Sequence, residues 1–242
     1  MKEIDAQGLH YRSLNRRLRR LIKEGERRIL LRSVCGQRYI GDGIGEEAEI
    51  IIEGVPGNDL ACFMDGPRII VRGNAQDGVG NTMNKGEVII YGDARDIVGY
   101  SMRGGRIFIQ GNVGYRVGIH MKAYKESFPV VVVGGVARDF LGEYMAGGLL
   151  VVLGLNHGEI AGDFVGTGMH GGAMFLRGEV EPARLCKEVK IGKVTPSDMN
   201  LLKKHVGDFC TSFELSLEEV LQDPFTKIYP YSHRPYGTIY AY

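Results

Sequence analysis

The sequence predicts an all-β protein, a right-handed parallel β-helix of about seven coils with short helical N- and C-terminal flanks. Glycine is unusually frequent, at 36 of 242 residues, against an average usage of about 7%. A strand-like motif that ends in glycine recurs through the middle of the chain, and a column of methionines recurs beside it. The motif recurs every 19 to 24 residues. A repeat unit of this length is too short to contain a crossover helix, so the units are expected to stack on one another.

The glycine motif has two apolar residues flanking a third position, then a variable residue and glycine, as expected for a short strand and a turn. Its copies span residues 50–54, 69–73, 88–92, 107–111, 130–134, 150–154 and 174–178. The final glycines are 19, 19, 19, 23, 20 and 24 residues apart, with extra residues at 122–128 and 156–161. This drifting period favours a right-handed coil, because left-handed β-helices usually repeat in strict sixes.

The methionine motif consists of an aliphatic residue, a small residue, two variable residues and then methionine. Six of the nine methionines occupy its last position: Met64, Met83, Met102, Met121, Met145 and Met169. A degenerate copy at 40–44 follows a strand-like segment at 29–32, so the repeats are expected to run over 29–180. We interpret each unit as strand, turn, strand, turn, with the methionines stacked inside the coil about 4.8 Å apart.

Strand alternation predicts that one apolar residue of each glycine motif faces outward. These outward residues are Ile51, Ile70, Ile89, Phe108, Val131, Val151 and Phe175. Stacked at about 4.8 Å, they form a hydrophobic stripe roughly 29 Å long, which requires a cover. Two covers remain open: the chain's own terminal helices, or a partner protein for which the stripe is an interface.

The segments beside the repeats are expected to form an N-terminal helical flank at 1–28 and a C-terminal helical cap with an extended arm at 181–242. Ser13 is expected to cap a helix over 14–24, whose basic face we interpret as solvated or available to an acidic partner. Ser197 is expected to cap a helix that runs to about residue 211. Ser216 resembles the start of a capping box, for a short helix that ends before Pro224.

Charge and hydropathy argue against two classes of partner. The formal net charge is +1, which provides no overall field to recruit nucleic acid. The longest apolar run, at 128–133, is far shorter than the ~20 residues that a bilayer span requires. Because the N-terminus has no signal-peptide pattern, the expected location is the cytoplasm.

Residues with the potential for chemistry do not form a recognisable site in the sequence. The Gly-x-Gly-x-Gly run at 41–45 is interpreted as a coil corner, because neither Lys-Ser/Thr nor a helix pattern follows it. The six histidines and four cysteines lack metal-ligand spacing, and the cysteines form no convincing disulfide framework. We therefore expect no catalytic, cofactor-binding or metal-ligating residue and no cofactor in this chain.

Three aspartates leave one alternative open. Asp77, Asp96 and Asp139 recur in turns, where aspartate is favoured for its local hydrogen bonding. The same residues would suit a carboxylate row on one edge of a β-helix, as in β-helical lyases that bind sugar acids through a metal ion. An independent β-helix enzyme or sugar binder is therefore the second functional hypothesis.

Two parts of the sequence carry a family resemblance. The segment 137–172 contains Arg-Asp-Phe-Leu-Gly-Glu-Tyr-Met-Ala-Gly-Gly and Gly-Thr-Gly-Met-His-Gly-Gly. It resembles the C-terminal β-helix domain of the glutamate synthase large (α) subunit, the Gly-x-Gly-x-Gly family. The sequences Gly-Gln-Arg-Tyr-Ile-Gly-Asp-Gly at 36–43 and His-Arg-Pro-Tyr-Gly at 233–237 resemble the freestanding version, found where that subunit is split among separate chains.

This resemblance implies a right-handed β-helix that supports a glutaminase domain and an FMN and iron–sulfur synthase domain without supplying catalytic residues. The family's glutaminase nucleophile is an N-terminal cysteine, whereas Lys2 follows Met1 here, and the iron–sulfur cysteine cluster has no counterpart. The implied function is a noncatalytic scaffold subunit of glutamate synthase, an oxidoreductase complex of glutamate biosynthesis, without activity alone.

The expected partners are separate glutaminase and FMN/iron–sulfur synthase chains, and a homo-oligomer remains open. A third hypothesis is a subunit of formylmethanofuran dehydrogenase, because one subunit of that enzyme resembles this chain in the same coil motif.

Overall fold

Strands and helices follow one another in a simple order in the computed structural model, which describes residues 1–155 and 158–232. The chain begins with β1 (Lys2–Asp5), α1 (Tyr11–Lys23), β2 (Arg28–Cys35) and β3 (Glu49–Val55). It continues through β4 (Asp65–Arg72), β5 (Lys85–Ile90), β6 (Arg106–Ile109), β7 (Val130–Val133), β8 (Ala146–Val152) and β9 (Gly171–Arg177). A 3-10 turn (Pro182–Arg184) then precedes β10 (Val189–Gly192), α2 (Pro196–Phe213), α3 (Leu217–Val220) and β11 (Phe225–Pro230).

The strands form one sheet in the order β1 to β9, followed by β11 and β10. From β1 to β9, each strand pairs in parallel with the next, and β11 then pairs antiparallel with β9. The strands β2 to β9 make about seven turns, so the predicted parallel β-helix is confirmed. Its right-handed sense stays a prediction. Strand β1 lies in the segment expected to be only helical, and it adds a rung before the first repeat.

The predicted methionine column is confirmed. All six of its methionines are fully buried in one core cluster. Backbone hydrogen bonds connect them coil by coil: the amide of Arg103 donates to the carbonyl of Met83 at 2.8 Å, and that of Lys122 to Met102 at 2.9 Å. Each methionine therefore lies directly above the one from the preceding coil.

The sequence predicted a second strand in each coil, in the segment that leads to the methionine. This prediction is wrong, because the segment forms a series of turns. In one coil, Ile97, Gly99 and Ser101 all have positive φ, at 54°, 71° and 52°. Amides two residues apart in this segment donate in opposite directions along the coil axis. Ile97 donates to Tyr115 of the next coil, and Gly99 donates to Val79 of the preceding coil, both at 2.8 Å. These bonds satisfy the backbone without strand geometry.

Glycine is favoured at the small position of this segment for two reasons. At Gly80, φ is +70°, a conformation that L side chains rarely adopt. A Cβ at Gly80 would also lie 2.4 Å from Cδ1 of Ile107, which points into the core from the strand one coil further on. The small-residue column thus makes room for the strand residues of the following coil.

Helix α1 closes the N-terminal opening of the coil. Its Leu14, Leu18 and Ile22 are buried in the same cluster as the methionines. The helix begins earlier than predicted, because the side chain of His10, in place of Ser13, accepts the capping hydrogen bond. The C-terminal opening is covered by Val189, which belongs to the same core cluster.

Helix α2 lies on the side of the coil, which agrees with the terminal helices as cover of the hydrophobic stripe but not with the expected C-terminal cap over an end. Its buried residues belong to a second apolar cluster, outside the sheet. The helix is capped by Thr195 in a capping box with Asp198, two residues before the predicted cap. Ser216 caps α3 as expected. No helix in the described ranges combines the length and apolarity needed to cross a bilayer.

Candidate functional site

The outer face of the sheet carries the column that the sequence suggested as an interface. Six of its seven residues occupy equivalent outward positions: Ile51, Ile70, Ile89, Phe108, Val151 and Phe175. Val131 was assigned wrongly, because Phe108 pairs with Val132, and Val131 pairs with Ile107 inside the core. We call the corrected set, with Val132 in place of Val131, the outer column.

The error at Val131 has a simple physical cause. Strand β7 consists of four valines, so no polar residue distinguishes its outward positions, and two glycines follow it. The glycine in register is Gly135, whose amide donates to Gly111 at 2.9 Å. Gly134 faces outward instead, and a Cβ there would lie 3.0 Å from Cζ of Phe209 in α2.

Helix α2 covers the C-terminal part of the outer column. Phe209 is fully buried, and its ring centroid lies 6.1 Å from that of Phe108 in an edge-to-face arrangement. Near the end of the helix, the hydroxyl of Tyr91 donates to the carbonyl of Ser212 at 2.9 Å. From Ile89 to Phe175, therefore, the chain supplies its own cover, and this part is not open to a partner.

The N-terminal part of the outer column has no helix over it among the described residues. Ile51 is nevertheless only 6% exposed, and charged side chains stand on both sides of it along the strand. On one side stands a row of alternating charge: Arg28, Glu49, Arg68, Glu87 and Arg106. On the other side stands a shorter one: Arg32, Glu53 and Arg72. We call these the charged rows.

Ion pairs connect successive rungs of the charged rows. Nε of Arg68 lies 2.9 Å from Glu87, and Nε of Arg28 lies 2.7 Å from Glu49. Pairs this exposed contribute only about 0–1 kcal/mol each to stability. Alternating charge is better suited to orienting a partner, because a displaced register would place like charges together.

A groove of about 710 Å³ runs beside the longer charged row. Its floor passes over Gly66, Gly86 and Gly105, where side chains are missing from successive coils. Glycine is required here, since a Cβ at Gly86 would lie 2.2 Å from the carbonyl oxygen of Pro67. The acidic residues that line it alternate with arginines and a lysine, so they do not converge on one point.

The turn aspartates form structural ladders between coils. Oδ1 of Asp96 accepts the amide of Tyr115 at 3.0 Å, and Oδ1 of Asp139 accepts that of Asp163 at 3.1 Å. In a second ladder beside it, Oδ1 of Asp93 accepts a hydrogen bond from the amide of Asn112 at 2.7 Å. Each carboxylate thus satisfies a backbone amide one coil further on. Because these carboxylates are engaged by backbone amides, their recurrence in turns no longer indicates a row that binds sugars.

The remaining sequence candidates also have structural roles or lie outside the described residues. Gly41 and Gly43 have positive φ and form the predicted coil corner, where the amide of Gly43 donates to Cys62. His157 and His233 lie outside the described residues. Within 1–155 and 158–232, no three His, Cys, Asp or Glu side chains are grouped as a metal site would require.

The four cysteines are free thiols. Burial, together with the nearby carboxylates of Asp59 and Asp42, raises the pKa of Cys62 to about 12. Its thiolate is therefore scarce near neutral pH, and Cys62 is unsuited to nucleophilic chemistry.

Stacked rings on the turn side of the coil were missed by the sequence reasoning. His120 lies parallel to Tyr144, with centroids 5.3 Å apart, and Phe140 lies parallel to Phe164 at 4.9 Å. The available signal was an aromatic residue or histidine recurring at two positions of the methionine motif, directly before the methionine and directly before the aliphatic residue. Arg116 adds a cation–π contact to Phe140 at 4.4 Å.

Fold and surface together define a parallel β-helix repeat protein whose outer face is covered by its own helix in the C-terminal part and patterned by charge in the N-terminal part. The chain belongs to the GXGXG motif family, whose model matches residues 19–231. Membership of this family supports the interpretation of the chain as a glutamate synthase-like domain. The uncharacterized protein MJ1350 of Methanocaldococcus jannaschii is 50% identical over 249 residues, which cover 98% of this chain and 95% of that protein.

Proposed function

We propose that this chain is a noncatalytic scaffold subunit of a multichain glutamate synthase, on which separate glutaminase and FMN/iron–sulfur synthase chains dock. The family match over residues 19–231 carries this proposal. A β-helix is suited to the role, because each coil contacts only its neighbours and the stack presents long surfaces.

The proposed docking surface is the part of the outer column that α2 leaves uncovered, with the charged rows beside it. Ile70 is partly exposed there, and Arg68 stands next to it between Glu49 and Glu87. The apolar stripe is narrow, so an interface here would depend on charge complementarity for orientation and on apolar contact at its centre.

Purification from the native cell tests the proposal. Tagged wild-type chain is expected to recover a glutaminase chain and a flavoprotein chain, and the complex is expected to make glutamate, whereas the chain alone does not. The proposal fails if neither partner is recovered. Recovery of molybdenum or tungsten subunits would instead support the formylmethanofuran dehydrogenase alternative.

A pair of matched variants tests the location of the docking surface. Arg68→Ala removes the central cation of the longer charged row and is expected to reduce partner recovery about tenfold, as loss of an interfacial charge contact typically does. Arg95→Ala is the control, because Arg95 is an exposed arginine in a turn that makes a single weak ion pair with Asp77 at 3.7 Å. Equal losses from both variants would contradict this location.

The alternative of an independent sugar-binding enzyme finds less support. It was motivated by the aspartate row and by the inserted loops near Lys122 and His157, and the aspartate carboxylates accept backbone amides in ladders.

A further inference from the structure

A pocket lies where α2 meets an inserted hairpin, next to the proposed docking surface, with which it shares Arg106. The hairpin, within residues 122–128, is closed by two hydrogen bonds of 3.0 Å between the backbones of Tyr124 and Ser127. Together with the first residues of β5 and β6 and the middle of α2, it encloses about 590 Å³. Pockets that hold small molecules typically measure about 300–1,000 Å³.

Two lysines at this pocket have no ion-pair partner in the described part of the chain. Lys85 lines it from the start of β5, and Lys204 lines it from α2. Arg106 also lines it, but its guanidinium is already held by Glu87 at 2.9 Å and Asp208 at 2.6 Å.

One carboxylate, Glu126 in the hairpin, also lines the pocket and is likewise outside any ion pair of the described residues. Because two unpaired ammonium groups and one unpaired carboxylate line the pocket, its unpaired charge is positive.

A buried polar group at the same pocket lacks a partner. His205 is 6% exposed, and its Nδ1 is closed off from solvent without a hydrogen bond in the described residues. Such an atom destabilises the protein unless a ligand or water satisfies it. Burial, with the nearby cations Lys204 and Arg106, lowers the pKa of His205, against the opposing effect of Asp208. The ring is thus expected to be neutral at pH 7.

Apolar walls complete the pocket. Phe128 is 43% exposed, and it faces the same space as Val130 and Leu201. An exposed ring beside free cations is typical of sites that bind an anionic group and an attached apolar group together. The hydroxyl of Ser127 at the rim is a further hydrogen-bond donor.

We propose that this pocket binds a small organic anion, a carboxylate or a phosphate ester that carries an apolar group. The anion lies between Lys85 and Lys204, and the apolar group packs on Phe128. The helix, the hairpin and two coils each contribute to the site, so a bound ligand would also connect α2 to the coil.

Binding to the full chain is measured by calorimetry and by ligand-observed NMR, with benzoate, phenyl phosphate, inorganic phosphate and benzylamine as probes. Benzoate or phenyl phosphate is expected to bind saturably, and the tighter of the two identifies the anion as carboxylate or phosphate ester. Inorganic phosphate is expected to bind more weakly than the tighter probe, and benzylamine not to bind. Saturable binding of neither organic anion, or equal binding of inorganic phosphate or benzylamine, would overturn the proposal.

Two lysine variants locate the binding. Lys204→Met is expected to raise the Kd of the tighter probe about tenfold, as loss of one charged hydrogen bond does. Lys203→Met is the matched control: the neighbouring residue of the same helix is equally exposed but does not line the pocket, and its Kd should stay within about twofold of wild type. Equal Kd values for the two variants would refute the site.

Discussion

Replacing Phe209 with alanine tests whether α2 is held on the coil by the outer column. Phe209 is fully buried, and its centroid lies 6.1 Å from Phe108 and 4.8 Å from Phe213. Truncating a buried phenylalanine to alanine costs about 3–5 kcal/mol. We expect a value of about 4 kcal/mol, because Gly134 beneath the ring has no side chain that could fill the cavity.

The loss should appear first in α2 itself. Coils of a β-helix depend mainly on their neighbours, so the helix can loosen while the coils stay folded. Hydrogen exchange followed by mass spectrometry should therefore show α2 amides exchanging about 10²–10³-fold faster in Phe209→Ala, since each 1.4 kcal/mol is about tenfold. Amides of β3 and β4 should change little.

An exposed position of the same helix supplies the control. Lys203→Ala should leave exchange in α2 within about threefold of wild type, because surface substitutions usually stay within about 0.5 kcal/mol. An increase of less than tenfold in Phe209→Ala would refute the claim that this ring secures the helix.

Three further predictions concern the core, a thiol and an ion pair. Met102→Ala should lower the free energy of unfolding in urea by about 2–5 kcal/mol, because this fully buried side chain leaves a cavity between two other methionines; a change below about 1 kcal/mol would contradict the stack. Iodoacetamide at pH 8 should label the exposed Cys35 in the native protein and Cys62 only after unfolding, since the pKa of Cys62 is raised to about 12; rapid native labelling of Cys62 would contradict its burial. Burial alone would raise the pKa of Asp198, but the Lys227 ammonium at 2.7 Å and the capping hydrogen bonds lower it below 3.8 overall. Asp198→Asn should therefore cost about 1–2 kcal/mol at pH 7, and this difference should shrink as pH falls through the lowered pKa; a difference that does not shrink as the pH is lowered would contradict the ion pair.

The repeat was predictable because each unit carries two sequence motifs, one that ends in glycine and one that ends in methionine. The column of Met83, Met102 and Met121 follows from spacing alone, since equivalent residues of a stacked coil must lie above one another. Outward positions followed from alternation wherever polar residues flank them, as Arg68 and Arg72 flank Ile70. In β7 this information is missing, which is why Val131 was misplaced.

The turns before each methionine could not be predicted from residue type. Left-handed φ at Ile97, Phe140 and Phe164 is unusual for such side chains, which favour right-handed or extended backbone. What holds them is the set of hydrogen bonds between coils, and those bonds exist only once the coils have stacked. Local propensity and tertiary structure disagree there, and tertiary structure prevails.

The position of α2 and the pocket beside it depend on contacts between residues far apart in sequence. Lys85 and Lys204 are brought together only because the helix returns to the side of the coil. The sequence shows an apolar helix face and an apolar strand column. It does not show that the two pack together, because a partner protein could cover the column instead.

Anomalous scattering from crystals of selenomethionine-substituted protein tests the central claim most directly. The claim is that the chain winds into stacked coils with one internal row of methionines. We expect six of the nine selenium positions to form a single row, with neighbours about 5 Å apart. A separation of more than about 10 Å between the selenium atoms of residues 83 and 102, or of residues 102 and 121, would contradict the coil.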